Sequence, residues 1–317
     1  MRVFLTGATG FLGAHLLAAL RRQGHEIVAL TRGPQAPRPG VQWVEGSLEE
    51  SGWHSALSGC SHLINAAASY ASALDGSASE DTLEQINVQA PVAVYRAALE
   101  AGLERFVQIS SAGVLPPEGG PEGSAAASDL APYFASKARA ESALQAAEDP
   151  RLPLLLLRPS MLLGPGDRGP SPAGEWLLGY LRGQHPVVPP ANLVVADVRD
   201  VAEACARSLT IEPPAPCYHL SGHHLRFAAL CDHLEATTGI PAPAKRPPYW
   251  LAWTLLSLRG LTGSQPLSAA DLRRMHRLTL PDTTRARSEL AWCPRPWTES
   301  VDDAIQGLRE HHGETRH

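Results

Sequence analysis

The stretch "RVFLTGATGFLGAHLLAALRRQG" (Arg2–Gly24) constrains this chain more than any other. A short apolar run, Arg2–Leu5, reads as a strand. Glycines follow at Gly7, Gly10 and Gly13, and apolar residues then recur at helical spacing from Phe11 until Gly24 ends the pattern. A chain that leaves a strand and enters a helix this quickly must turn tightly. If the turn takes a pyrophosphate, its backbone must also come close to the ligand, and the helix must pack near the sheet. Each demand favours a residue without Cβ. The helix N-terminus then offers N–H groups and a positive dipole end to the phosphates. Glycines spaced G-x-x-G-x-x-G in this context predict a dinucleotide-binding start. A ligand-free Gly-rich turn is the weaker reading.

The alternation continues. Strands are predicted at Glu26–Leu30, His62–Ala67, Arg105–Ser110 and Leu152–Ser160. Helices are predicted around Leu48–Leu57, from Thr82 to Glu100 with Gly102 ending it, and from Tyr133 to Ala147. The run "LPLLLLRPS" is nearly all apolar, as a parallel strand buried on both faces requires. The expectation is an α/β fold: a Rossmann-type doubly wound parallel sheet over residues 1–160. A smaller, mixed C-terminal substrate lobe follows over 161–311, with some segments returning to the sheet, and then a frayed tail over 312–317. The second half is rich in Pro and Gly. Helices are predicted there at Val198–Leu209, Phe227–Thr238, Tyr249–Leu258 and Ser300–His311, and a strand at Cys217–Gly222.

Composition excludes several classes. With 44% apolar and 19% charged residues the chain can build a large core, and its net charge of −5 with no long basic run argues against a nucleic-acid partner. Five scattered cysteines with no Cys-x-x-Cys fit small buried apolar residues in a reducing, cytoplasmic setting better than disulfides or a zinc site. The opening apolar run is too short for a signal peptide. "YWLAWTLLSLRGL" (Tyr249–Leu261) is too short for a membrane span and reads as a buried or surface-docking helix. The thirteen histidines, "SGHHLR" and "REHHGETRH" included, have no companion carboxylates or cysteines at ligand spacing, so no metal is expected.

The second strand ends "VALTRG". Enzymes specific for NAD often place an acid there to hold the ribose 2′-hydroxyl. This chain has Thr31 and Arg32. A guanidinium can pair with a 2′-phosphate in a forked geometry, so NADP(H) is the preferred cofactor, read by Arg32 with Arg38 as a second candidate. NAD(H) stays open.

"PYFASKARAE" (Pro132–Glu141) carries Tyr133 and Lys137 one turn apart on one helix face. Alone, this pattern is most simply a surface aromatic beside a solvated charge. Here the preceding strand ends in Ser110 and Ser111, and ligands of open parallel sheets bind beyond the carboxyl ends of strands. An ammonium beside a phenol favours the phenolate and so readies it to exchange a proton near neutral pH. Ser111 can donate a hydrogen bond to the same substrate oxygen. The hydride would come from or go to a nicotinamide.

With these residues assembled, the chain resembles the extended short-chain dehydrogenase/reductases. The resemblance is carried by "TGATGFLG", "NAAA" (Asn65–Ala68), "INVQAP" with Asn87, "QISSAGV", "YFASK" and "LLRPSMLLGPGD", and it continues to "TTRARSELAWCPRPWTESVDDAI". The chain looks closest to the dihydroflavonol-reductase-like and 3β-hydroxysteroid-dehydrogenase-like branch, with nucleotide-sugar epimerases as cousins. The resemblance implies that Ser111, Tyr133 and Lys137 form a catalytic triad. It implies that Gly7, Thr9, Gly10, Phe11, Leu12 and Gly13 line the pyrophosphate, and that Ala66, Ala67, Ala68 and Ser110 lie along the cofactor. Pro159 and Ser160 would sit beside the nicotinamide, Lys137 would also hold its ribose, and Asn87 would be structural. Where the family often has Gly-Asp-Leu, this chain has Gly46-Ser47-Leu48, which leaves adenine recognition to Ser47 and Leu48. The Gly-rich loop between Ser111 and Tyr133, with Glu118 and Glu122, is expected to form a rim. Relatives often pair through the Thr82–Glu100 and Tyr133 helices, and a homodimer is open to this chain.

The leading expectation is therefore an NADP(H)-dependent oxidoreductase that interconverts a ketone and a secondary alcohol. The Leu-, Trp- and Pro-rich second lobe favours a small, rather apolar substrate, because a sugar nucleotide would want Arg and Asn near its diphosphate. A nucleotide-sugar epimerase or dehydratase with tightly held NAD is the alternative, and a non-catalytic NADP-binding sensor is a third class.

Overall fold

A computed structural model describes residues 1–69, 80–116, 130–212, 215–259 and 268–312. Its first half follows the alternation of the sequence: β1 (Arg2–Thr6), α1 (Phe11–Arg22), β2 (Glu26–Thr31), β3 (Val41–Glu45), β4 (His62–Asn65), α2 (Ala90–Glu100), β5 (Arg105–Ile109), α3 (Pro132–Ala147) and β6 (Leu154–Pro159). These strands and β9 (Cys217–Leu220) form one seven-stranded sheet in the order β3-β2-β1-β4-β5-β6-β9. Every pairing in it is parallel. Parallel strands need helical crossovers, so both faces are covered, and this accounts for the fully buried strands β4, β5 and β6. The order reverses between β1 and β4, and that switch point opens a crevice beyond the strand ends.

Two apolar layers flank the sheet. One packs α1 and α5 (Val198–Arg207) on it through Leu16, Leu20, Val201 and Cys205, and is closed late in the chain by Ala286, Leu290 and Trp292. The other buries Trp53, Val94, Tyr95 and Leu144.

A smaller mixed sheet, β10-β8-β7, joins β7 (Met161–Leu163), β8 (Asn192–Asp197) and β10 (His223–Arg226). Around it lie α4 (Pro172–Leu181), α6 (Phe227–Thr238), α7 (Tyr249–Arg259), α8 (Ala269–His276) and α10 (Trp297–His312), while α9 (Thr284–Glu289) lies against β9. Leu177, Val195, Leu230, Leu234 and Leu308 are buried in its own apolar cluster.

The structure differs from expectation at definite places. The predicted Thr82–Glu100 helix carries a π-helical stretch, Glu84–Gln89, ahead of α2. The helix predicted around Leu48–Leu57 is one short 3-10 turn at His54–Leu57. Strands β3, β7, β8 and β10 and helices α4, α8 and α9 add to the predicted elements, and α10 runs through His312. The rim segment 117–129, with Glu118 and Glu122, lies outside the described residues. None of the five cysteines is in a disulfide, and Cys60, Cys205 and Cys231 are buried. Among the described residues no helix is long and apolar enough to cross a membrane, and no group of three His, Cys, Asp or Glu could hold a metal ion.

Candidate active site

The glycine turn is as tight as the sequence demands. Gly7 adopts φ +69°, in the left-handed region, and a Cβ there would stand 2.6 Å from the Ala66 carbonyl carbon. A Cβ on Gly13 would stand 1.9 Å from the Gly7 carbonyl oxygen, inside the backbone of the turn. The end of β4, the turn and α1 therefore touch backbone to backbone. Gly10 caps α1 without a side chain, and the first turn of α1 holds no acid, so its amides face the crevice uncontested. A cleft of about 2200 Å³ runs from this turn to the smaller sheet. That is several times an ordinary ligand pocket and has room for a dinucleotide beside a substrate.

The cleft brings together the residues the sequence assigned to cofactor or chemistry, with the exception of Arg38. Gly7, Thr9, Gly10, Phe11, Leu12 and Gly13 line one end with Arg32, Ser47 and Leu48. Ala66, Ala67, Ala68, Ser110, Ser111, Tyr133, Lys137, Pro159 and Ser160 line the middle. Arg32 is exposed at the end of β2. Arg38 is not among the lining residues; its carbonyl accepts from the Val41 amide in the turn before β3. The Ser110 and Ser160 hydroxyls are buried without a hydrogen-bond partner among the described residues. Buried polar groups are nearly always paired. A narrow glycine cradle, a bare helix N-terminus and two unpaired hydroxyls along one trough fit a bound dinucleotide.

Tyr133 and Lys137 stand on α3 above the end of β5. Tyr133 is buried, and the Lys137 ammonium lies 5.9 Å from its ring centroid. Lys137 is 4% exposed and donates to the Ile109 carbonyl at 3.1 Å. Burial pushes its pKa from 10.5 down to about 8, opposed by the negative charge of Glu141 one turn further on. Ser111 lies two residues past the end of β5 and caps the short turn Ala112–Val114, its Oγ accepting from the Gly113 amide at 3.1 Å. Asn87, in the π-helical stretch, bonds both backbone groups of Ser69 at 2.8 and 3.0 Å and donates to the Ser136 hydroxyl at 3.1 Å. Its place is a tie between the end of β4 and the start of α3.

Three supports went unforeseen. Thr6 donates to Asn65, Asn65 donates to Gln108 at 2.8 Å, and Gln108 donates to the Ile109 carbonyl at 2.9 Å. This buried polar chain crosses the ends of β1, β4 and β5 and finishes on the oxygen that holds Lys137. Glu141 and Arg158 form a buried bidentate pair, at 2.9 and 2.6 Å, under the same helix. Arg274 of α8 donates to the Gly113 and Leu115 carbonyls and lies 5.8 Å from the Phe134 ring centre, so the smaller lobe grips the loop after Ser111. The signals were present in "NAAA", "YFASKARAE" and "LLRPS", but the pairing needed the fold. The same helix bears on the expectation of an apolar substrate, since Arg273 and Arg274, with Arg277 just past its end, all line the cleft.

A doubly wound parallel sheet with a nucleotide-binding turn at its switch point and a Tyr–Lys pair beside it defines an NAD(P)-dependent oxidoreductase. Residues 3–214 match the model of the NAD-dependent epimerase/dehydratase family, and the chain belongs to that family, the extended short-chain dehydrogenase/reductases. A Synechocystis sp. protein, provisionally named as a dihydroflavonol 4-reductase, is 29% identical over 97% of this chain and 94% of its own length. The 2-alkyl-3-oxoalkanoate reductase of Stenotrophomonas maltophilia is 31% identical over 98% of both chains. The fold also matches a solved structure of MoeE5 in complex with UDP-glucuronic acid and NAD, with a TM-score of 0.77, 24% identity, and 98% and 99% of the two chains covered.

Proposed function

We propose that this chain is an NADP(H)-preferring reductase of the cytoplasm that interconverts a ketone and a secondary alcohol on a small, rather apolar substrate. The observation that carries the reading is Lys137. A cationic side chain 4% exposed, with its pKa lowered to about 8, beneath a phenol in a large cleft is held there at a cost in stability that a role in the chemistry explains. Tyr133 exchanges a proton with the substrate oxygen, its hydroxyl biased toward the phenolate by the ammonium below. The Ser111 hydroxyl turns from the Gly113 amide to donate to the same oxygen. The glycine turn and the α1 N-terminus hold the pyrophosphate, Lys137 holds the nicotinamide ribose, and Ser47 and Leu48 border the adenine. Arg32 takes the 2′-phosphate. When bound, the nicotinamide supplies or accepts the hydride. Two relatives named as reductases support this reading.

Arg273 and Arg277 favour one second reading, a nucleotide-sugar substrate whose diphosphate they would pair. The test is a fluorescence titration with NADPH and NADH, followed by a panel of ketones, on wild type, Arg32→Ala and Tyr133→Phe. Tyr133→Phe is expected to lose at least about 100-fold in turnover with little change in NADPH affinity. Arg32→Ala is expected to weaken NADPH alone. A protein that arrives with NAD bound and consumes no reduced cofactor would overturn the reductase in favour of an epimerase.

A further inference from the structure

Helix α7 is apolar nearly all round and buried on one side only. Tyr249, Ala252 and Leu256 pack against the apolar cluster of the smaller lobe, and the Tyr249 ring stacks on His276 of α8 at 4.1 Å. The opposite side presents Trp250, Trp253, Leu255 and Leu258, which are 67%, 40%, 47% and 59% exposed. A helix with this pattern belongs in an apolar surrounding on both sides. Its polar side chains obey the same rule. The Thr254 hydroxyl donates to the Trp250 carbonyl at 2.7 Å, and the Ser257 hydroxyl donates to the Trp253 carbonyl at 2.8 Å. Neither needs water.

The charge around the helix selects the partner. From Ala236 to Ala270 the sequence contains no acid, and its only charged residues are Lys245, Arg246 and Arg259, in a chain of net charge −5. Lys245 and Arg246 are exposed just ahead of the helix, with Arg246 paired to Asp232 of α6. A second copy of the chain, meeting this face about a two-fold axis, would bring the same acid-free segment and offer these cations no counter-charge from it. A tryptophan-bearing apolar face with a basic flank matches instead the surface of a bilayer containing anionic lipid.

We infer that α7 docks this protein on an anionic lipid surface, with Trp250, Trp253, Leu255 and Leu258 in the interface and Lys245 among the headgroups. The surface goes beyond the reductase reading and stands without it. Helix α8, against which α7 packs, lines the cleft through Ala270, Asp271 and Met275, so a docked molecule holds its substrate end close to the lipid.

The test is co-sedimentation of the full chain with vesicles of phosphatidylcholine, with and without a minority of phosphatidylglycerol. Wild type is expected to sediment with the anionic vesicles, and added salt is expected to weaken it. The variant Trp250→Ser/Trp253→Ser/Leu258→Ser is expected to lose at least about ten-fold in binding. Lys245→Gln is expected to lose about five-fold, on anionic vesicles only. All four changes are at exposed positions, and an unchanged thermal melt shows that the fold is intact. Leu255→Gln/Leu258→Gln supplies a second, milder pair. Wild type that stays in the supernatant, or binds neutral vesicles equally, overturns the inference. So does a wild-type dimer that the triple variant converts to monomer, since the face would then belong to a second copy. Failure to reduce any ketone would count against the reductase and leave this result untouched.

Discussion

Replacing Lys137 by Met should stabilise the protein at neutral pH while removing its turnover. The ammonium is almost fully buried, and burial holds its pKa at about 8 against 10.5 in an unfolded chain. That difference corresponds to about 3 kcal/mol of native-state cost. The neighbours lose little when the amine goes. The Ile109 carbonyl keeps the Gln108 side chain as a donor, and Glu141 keeps both bonds to Arg158. The expected net gain is about 2 kcal/mol at pH 7 after the lost hydrogen bond, or about 3 °C in Tm for a chain of this length. The sign with pH is fixed. A folded-state pKa below the unfolded one means that the unfolded chain binds more protons between those values. The cost is therefore fully present below about pH 8 and fades as the pH rises toward 10.5. Urea unfolding of wild type and variant side by side from pH 6.5 to 10 should show the variant ahead at the low end and the gap closing at the high end. A variant less stable than wild type at pH 7, or a gap unchanged across the range, would refute the argument that Lys137 is held there at a cost.

Two further outcomes follow from contacts in the cleft and beneath it. Gly13→Ala would drive a Cβ into the Gly7 carbonyl, so the turn must open; NADPH affinity is expected to fall at least about ten-fold, with about 1–3 kcal/mol of stability lost, and a fluorescence titration within two-fold of wild type would contradict this. Arg158→Met leaves the buried Glu141 carboxylate unpaired and should cost about 3–5 kcal/mol, whereas Arg158→Met/Glu141→Leu should recover most of the loss in a thermal melt.

The nucleotide half was legible because its signals are local. The run Leu154–Pro159 is apolar throughout since helices cover both faces, and Gly7 and Gly13 mark places where a Cβ has no room. Strand β3 escaped notice for a physical reason. "VQWVE" lies at the sheet edge, and none of its residues is fully buried, so neither a solid apolar run nor a clean alternation shows. The Glu84–Gln89 stretch carries ordinary helix formers, and nothing in them announces the wider winding that lets Asn87 reach Ser69. In the second half, β7 has three residues and β10 four, and Gly and Pro interrupt what surrounds them. Of the site, the glycine turn and the Tyr–Lys pair lie within single motifs. The supports do not: Glu141 and Arg158 are 17 positions apart, and Arg274 is 161 from Gly113. Such pairs become visible only once strand order is known.

The seventh strand of the large sheet has a consequence for how the molecule is made. β9 comes from Cys217–Leu220, and the layer over β6 and β9 is closed by Leu290 and Trp292. A ribosome that has released β6 must still add more than a hundred residues before that layer is complete, which at bacterial or eukaryotic speeds takes on the order of ten to twenty seconds. For the first part of that interval, until β9 arrives to pair with it, the β6 edge is an open ladder of amides and carbonyls on a nascent chain. The glycine turn is born first and its sheet is sealed last, so vectorial synthesis leaves the nucleotide-binding half waiting on the tail of its own message.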